Sequence, residues 1–413
     1  MNDFLAVDRC SLGHLKRIAE PLFDKYAATP YSACQPIRRN GLNTVTTHET
    51  NKASSPSPFL ALHEIVAKAR QKLSHDNWDY IIGGTETETT VNRNRAALDA
   101  LAFEPRVLRD VSKVSMGTTF LGQQLRLPLM LAPVGSLELF APESAVAAAR
   151  AAAQFGIAHM LSSVSEVGFE AVAREVPDVV RLFQLYVHGD PAWVDDMAER
   201  TIAAGFSAFC LTVDSAYYSR RERDIAKRNI RRSFVPGREN QPKLTWRDVD
   251  RLKSKLPIPL ILKGIATPQD AVMALDHGVD MIYVSNHGGR QLDHGRGTMD
   301  VLPGIVRAVA GRAKILIDGG FNRGTDVVKA IAAGADIVGL GRMQCYGLAA
   351  DGSAGVVRIL ELLEAEIHAC LGLLGVNSLD ELNPDYLHAL APVSPSHVLS
   401  AFPLLSLDDR SFY

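Results

Sequence analysis

The sequence has few cysteines. Cys10, Cys34, Cys210, Cys345 and Cys370 are odd in number, scattered, and form no C-x-x-C pair. That argues against a disulfide framework and suits a reducing compartment. The histidines make no H-E-x-x-H and no paired Cys/His spacing, so no metal site is legible. No apolar run reaches the roughly 18 residues of a membrane span. The start lacks a basic segment followed by an apolar core, and the end reads Ser-Phe-Tyr rather than Ser-Lys-Leu, so neither secretion nor a peroxisomal address is expected. A formal net charge of -2 gives no electrostatic case for nucleic acid. No G-x-G-x-x-G follows a strand pattern, which removes the fingerprint of a dinucleotide-binding, doubly wound sheet. These absences leave a cytoplasmic protein with neither membrane nor nucleic acid as partner.

What is present is a regular alternation. Eight short apolar runs at 127–132, 157–161, 180–186, 208–213, 259–263, 281–285, 314–318 and 336–340 predict strands. Helical patterns at 143–155, 167–175, 191–204, 268–277, 325–333 and 354–372 separate most of them. Strands alternating with helices imply parallel βαβ units, and eight in this length predict a (β/α)₈ TIM barrel. The barrel is expected over residues 59–375, opening on a helix at 59–73 with Leu62, Ile65, Val66 and Ala69 on one face. Residues 1–58 read as an extension, helical within 1–26 and a Ser/Thr/Pro-rich linker after that, and 376–413 as a C-terminal tail.

In such a barrel the chemistry gathers at the C-terminal ends of the strands. Those ends carry Pro133 to Ser136, Ser162, Gln184, Tyr186, Thr212, Asp214, Lys263, Ser285 to Arg290, Asp318 to Gly320, and Gly341 with Arg342. The glycine-rich stretches after strands seven and eight suit a phosphate, closed by Arg342 or Arg323, or else simply make tight turns. His287, between glycines' free backbone and Arg290, can act as a base if Asp214 faces it across the barrel mouth. Lys263 is a Schiff-base nucleophile, a fixed charge beside a cofactor, or a packed lysine reaching solvent. Residues 219–238 are strongly basic, either a lid that steers a small anion inward or a solvated loop.

Ser285-Asn-His-Gly-Gly-Arg-Gln-Leu-Asp293, with Leu131-Ala-Pro133, Leu161-Ser-Ser163, Phe183-Gln-Leu-Tyr186, Leu211-Thr-Val-Asp214, Arg220-Arg-Glu222, Leu262-Lys-Gly264 and Asp318-Gly-Gly320, resembles the FMN-dependent 2-hydroxy-acid oxidase and dehydrogenase family. The resemblance runs over about residues 60–375. It implies FMN as cofactor and oxidation of an (S)-2-hydroxy acid, with electrons passed to a quinone, another carrier or oxygen. It also implies His287 as base, Asp214 as its partner, Arg290 and Arg221 on the substrate carboxylate, and Tyr80 and Tyr186 on its carboxylate and hydroxyl. Lys263 would sit by the flavin ring, which Ser162, Gln184 and Thr212 would bond and Ala132, Pro133, Val134 and Gly135 would flank. Ser285, Asp318, Gly319, Gly320, Gly341, Arg342 and Arg323 would hold the flavin side chain and phosphate. A homotetramer or larger assembly is implied as well.

Several positions depart from glycolate oxidase. Asn322 replaces the first of two arginines after the Asp-Gly-Gly turn, Val164 replaces a tryptophan over the substrate, and Tyr218 replaces a leucine. The connection after strand four is shorter. Gly135 stands where the oxidases have alanine and mandelate dehydrogenase has glycine, which predicts room beside the flavin and a dehydrogenase rather than a fast oxidase. The rival readings are a lyase or aldolase using Lys263, and a barrel kept as a non-catalytic binding scaffold.

Overall fold

The computed structural model describes residues 57–228 and 237–406. The helix and linker expected within the first 56 residues lie outside the described residues. Eight parallel strands, β1 (Leu129–Leu131), β2 (Ala158–Ser162), β3 (Arg181–Leu185), β4 (Ala208–Thr212), β5 (Leu260–Ile265), β6 (Met281–Val284), β7 (Lys314–Ile317) and β8 (Ile337–Leu340), close into a barrel. Each pairs with its neighbours in sequence, and β8 closes on β1 through Val338–Leu129 and Leu340–Leu131. This is the (β/α)₈ fold expected.

The strands are apolar on both faces because both are buried. Met130, Met160, Leu182, Cys210, Ile261 and Tyr283 point inward and fill the barrel. Leu131, Leu161, Phe183, Leu211, Leu262 and Ile282 point outward against the helices. With the interior packed, ligand space remains only at the rim.

Helices α1 (Leu62–Lys72), α2 (His75–Ile82) and α3 (Thr89–Asp99) precede the barrel. Around it run α4 (Ser144–Phe155), α5 (Phe169–Glu175), α6 (Pro191–Ala203), α7 (Glu222–Ala226), α8 (Trp246–Lys255), α9 (Pro268–Asp276), α10 (Thr298–Val309), α11 (Gly324–Ala332) and α12 (Arg342–Leu374). α6 and α9 begin with proline behind Asp190 and Thr267, whose side chains accept from the amides of Trp193 and Asp270. The alanine-rich α4 is buried almost throughout and packs closely against α12. α12 is broken at Asp351 and Gly352, so its second half coincides with the helix read at 354–372.

Residues 376–406 are packed onto the barrel domain rather than trailing from it. Leu387–Ala389 pairs antiparallel with Leu101–Phe103, and Phe402 is buried against Tyr346. Among the described residues no helix is long and apolar enough to cross a membrane, and no group of His, Cys, Asp and Glu is arranged to hold a metal.

Candidate active site

At the C-terminal rim lies a cavity of about 360 Å³ whose wall runs from Tyr80 and Arg290 past His287 and Lys263 to Asp318, Gly320 and Arg342. That volume lies within the ~300–1,000 Å³ range typical of small-molecule and cofactor sites.

The centre of the site is the turn after β6. His287 has φ 59°, the left-handed region, followed by Gly288 at 61° and Gly289 at 77°. A side chain in that region is strained, and the neighbouring structure must hold it. Asn286 does this from one side, accepting from the Gly289 amide and exchanging two amide hydrogen bonds with Asn94 of α3, at 2.7 and 2.9 Å. The backbone amide of His287 donates to Ser285 Oγ at 3.1 Å.

So held, the imidazole places Nδ1 3.0 Å from Asp214 Oδ1 and Nε2 2.9 Å from the Tyr186 hydroxyl. Burial raises the Asp214 carboxyl, but His287 and Lys263 outweigh it and hold the group below the usual carboxylate range. An ionised Asp214 can only accept, so Nδ1 carries the proton and the lone pair is on Nε2. Burial lowers the His287 imidazole below its ordinary value, against the opposing pull of Asp214. It is therefore neutral near pH 7. Burial pushes the Tyr186 phenol up to about 12, so it remains a donor.

Arg290 lies 4.7 Å over the Tyr80 ring, and its Nη1 donates to the carbonyls of Tyr80 and Gly83 at 2.6 and 2.9 Å. Its Nη2 is buried without a hydrogen-bond partner. Burial, and next the charge of Arg221, bring Arg290 down to about 10. Arg221 Nε donates to Ser219 Oγ at 3.3 Å, and its guanidinium stacks on Tyr218. The two guanidiniums, with an orphan donor between buried walls, are prepared for an anion.

Deeper in the rim, Lys263 Nζ donates to Ser285 Oγ at 3.0 Å and lies 3.7 Å from Asp318 Oδ2. Ser285 Oγ in turn donates to Asp318 Oδ1 at 2.6 Å. Burial lowers Lys263, but Asp318 and Asp214 more than reverse this, so the ammonium stays charged. Ser162, Gln184 and Thr212 end three adjacent strands in a buried row: Ser162 Oγ donates to Gln184 Oε1 and Gln184 Nε2 to Thr212 Oγ1, both at 2.8 Å.

These groups fit FMN, and the fit rests on two features. Gly319 and Gly320 have φ of 110° and 86°, conformations that side chains rarely adopt, and the space beside Gly341 is open. They leave bare backbone at the cavity wall, suited to a phosphate. Arg342 is beside them, donating to the carbonyls of Ile81, Gly288 and Gly83 and keeping two of its five N–H groups for another acceptor. At the other end, the Ser162–Gln184–Thr212 row and the Lys263 ammonium offer donors to a polar heteroaromatic ring.

Arg323 requires a correction. Its guanidinium is turned onto Glu366 of α12 and the Ala401 carbonyl, away from the cavity wall. It is the N-cap residue of α11, and the Glu366 carboxylate on α12 holds its guanidinium. Two residues on the wall were not read from the sequence. Asn94 braces the His287 turn, and Arg95 grips Asp326 through two hydrogen bonds, at 2.7 and 2.8 Å, and the Gly320 carbonyl at 3.2 Å. Arg95 thereby fixes the glycine loop after β7.

A barrel with a charged lysine beneath bare-backbone loops and an Asp–His pair at its mouth defines a cofactor-dependent enzyme of the flavin class. Residues 69–237 and 229–389 match the FMN-dependent dehydrogenase family, and the chain belongs to it. It is 39% identical over 365 residues to an L-lactate oxidase from Nostoc sp., covering 81% of this chain and 99% of that protein. It is 37% identical over 353 residues to glycolate oxidase from Spinacia oleracea, covering 79% and 95% respectively. Among solved structures, mandelate oxidase with (S)-2-phenylpropionate superposes with a TM-score of 0.74 at 35% identity, over 81% of this chain and all of that one. A variant of mandelate oxidase holding a C4a-hydroxy-FMN adduct superposes with the same score over 80% of this chain. FMN is the cofactor.

Proposed function

We propose that the protein oxidises an (S)-2-hydroxy acid to the corresponding 2-oxo acid. The observation that supports this most is the line Asp214–His287–Tyr186 beside the orphan Nη2 of Arg290. Arg290 and Arg221 hold the substrate carboxylate, with Tyr80 beneath Arg290. Tyr186 and His287 meet the hydroxyl-bearing carbon. His287 takes a proton at Nε2, and Asp214 stabilises the imidazolium that results. The substrate loses its C2–H and O–H bonds and gains a C2=O double bond. His287 takes one of the two protons released, and FMN, when bound, would supply the acceptor for the two electrons and the other proton. The charged Lys263 offsets negative charge that develops at the ring.

The same charge argues against a lyase. A Schiff base needs a neutral amine, and Asp318 and Asp214 keep Lys263 protonated. The relatives named above are oxidases of lactate, glycolate and mandelate, which supports the substrate class. For the electron acceptor, a quinone or another carrier is favoured over oxygen by the Gly135–Val164 pair, in which the valine methyl closes the space that the glycine alone would leave open.

The test is anaerobic mixing of the flavin-loaded protein with paired (S)- and (R)-2-hydroxy acids while following flavin absorbance. Bleaching by (S) enantiomers is expected. No bleaching by any member of the panel, or borohydride trapping of a substrate on Lys263, overturns the reading.

A further inference from the structure

Arg238 is a third arginine at the cavity mouth, and the reaction as proposed has no use for it. Its guanidinium lies 4.3 Å from the centre of the Tyr218 ring, and that of Arg221 lies 4.7 Å from the same centre. Arg238, Tyr218, Arg221 and His188 all line the cavity. Among the described residues Arg238 makes no ion pair, and no carboxylate is among the groups that shift it. The side chain is nevertheless not free in water: burial lowers it, as does the charge of Arg221. Half-burying a cation that has no carboxylate partner among the described residues carries a partial desolvation cost, and an anion delivered to it offsets that cost.

We propose that Arg238 binds a second carboxylate on the substrate, making the preferred substrate a 2-hydroxydicarboxylate. The inference rests on the 2-hydroxy-acid reading above. The C1 carboxylate is held by Arg221 and Arg290. Arg238 stands on the same tyrosine as Arg221, so an extended substrate reaches it with its far end. Tyr218 is the spacer that keeps the two cations apart and gives both a π-face. Two neighbours agree with this. Val164, on the cavity wall, is a small side chain that leaves length for a substrate tail. His188 stacks on Tyr186 with ring centres 6.4 Å apart, and its imidazole is lowered first by burial and then by the Arg238 charge, so it is a neutral hydrogen-bonding neighbour for a carboxylate. A lysine or arginine serving only as a solvated lid would carry no such preference between substrates.

The experiment compares anaerobic flavin reduction by four-, five- and six-carbon 2-hydroxydicarboxylates with that by monocarboxylates of the same length, in the parent and in Arg238→Met and Arg238→Lys. In parallel, Kd for the matching 2-oxodicarboxylates and 2-oxomonocarboxylates is read from flavin absorbance without turnover. The expected result is a higher kcat/KM for at least one dicarboxylate than for its monocarboxylate match. Arg238→Met should lower that dicarboxylate-to-monocarboxylate ratio by about 10- to 100-fold, the loss of one charge-assisted bond, and Arg238→Lys should restore part of it. A parent with no dicarboxylate preference, or an Arg238→Met that weakens both classes equally, overturns the proposal. Failure of every hydroxy acid to bleach the parent overturns the 2-hydroxy-acid reading instead, and the Kd comparison then decides the anion site by itself.

Discussion

Asp214 and His287 are joined carboxylate to Nδ1 at 3.0 Å, although 73 residues separate them in the chain. Two backbone features make this possible. Gly264, at φ 110°, lies so close that an added side-chain carbon would come 2.5 Å from the Asp214 Cβ. His287 itself occupies the left-handed region at φ 59°. The pairing fixes the tautomer, so chemistry and geometry can be tested separately. His287→Asn should keep FMN and still bind a 2-oxo acid, while flavin reduction slows on the order of 10²- to 10⁴-fold. In the parent, the neutral imidazole is the active form and burial lowers its pKa. The acid limb of the reduction rate should therefore lie below pH 6.5, the rate falling as pH drops through it. Stopped-flow reduction across pH measures both; a variant reduced at the parent rate removes His287 from its role.

The two arginines proposed to bind the substrate carboxylate should fail differently. Arg290 also donates to the Tyr80 carbonyl, so Arg290→Met leaves that acceptor without this donor, while the Gly83 carbonyl keeps Arg342. It should lose stability, roughly 1–3 kcal/mol, as well as substrate affinity. Among the described residues the Arg221 guanidinium donates only to Ser219 Oγ, and Arg221→Met should weaken 2-oxo acid binding about 10- to 100-fold at nearly unchanged stability. Ligand titration and urea unfolding of both variants check this. Equal destabilisation by the two contradicts it.

Arg342 and Arg323 make a parallel contrast at the glycine-rich end proposed to take the FMN phosphate. Arg342 lines the cavity and keeps two N–H groups, whereas Arg323 is committed to Glu366 and Ala401. Arg342→Met should raise the FMN dissociation constant at least about tenfold, the scale of one charge-assisted bond to phosphate. Arg323→Met should leave it unchanged. Release followed by flavin fluorescence decides, and an equal effect of the two restores Arg323 to the site.

The strand ends were legible because burial on both faces writes each strand as a short apolar run, and the first polar residue after the run is the rim. Lys263, Asp214 and His287 were read as rim residues that way, and the structure places His287 beside Asp214 and Lys263 beside Asp318. Side-chain direction was not legible: Arg323 follows the same glycine turn, but its guanidinium is paired with Glu366 on α12. α3 went unread for a different reason. Its sequence, Thr-Thr-Val-Asn-Arg-Asn-Arg, is weak in helix propensity, and tertiary contacts from Asn94 and Arg95 sustain it. α10 was hidden by the proline and glycine inside it, Pro303 and Gly304.

His159 gives a stability test independent of catalysis. It faces outward on β2 at 1% exposure, Nδ1 has no partner, and burial lowers it to about 4 from an ordinary 6.5. The unfolded chain therefore binds the proton more readily than the folded one. The stabilising effect of a neutral His159 is fully present above pH 6.5 and is lost as pH falls towards 4, on the order of 1 kcal/mol per pH unit. His159→Leu should flatten the dependence of urea stability between pH 5 and 7 relative to the parent. An unchanged slope means that other groups carry it.

The last prediction concerns Gly135, where the structure changes the expectation. A glycine was expected to leave open room beside the flavin. Instead, a side-chain carbon added at Gly135 would sit 2.5 Å from Val164 Cγ2, so the valine methyl already fills that space. The two residues form a complementary pair: a small residue on the loop after β1 and a branched one on the loop after β2. Gly135→Ala alone should force Val164 from its rotamer and weaken FMN or 2-oxo acid binding. Gly135→Ala combined with Val164→Ala should recover most of the loss, the coupling expected of residues in contact. If the Val164 methyl is what shields the reduced ring, Val164→Ala by itself should speed reoxidation by oxygen, while reoxidation by a quinone changes little. The measurement is substrate reduction without air, followed by mixing with oxygen or with a quinone in parent and variants. Rapid reoxidation of the parent by air with stoichiometric peroxide, unchanged by Val164→Ala, removes both the shield and the preference for a carrier.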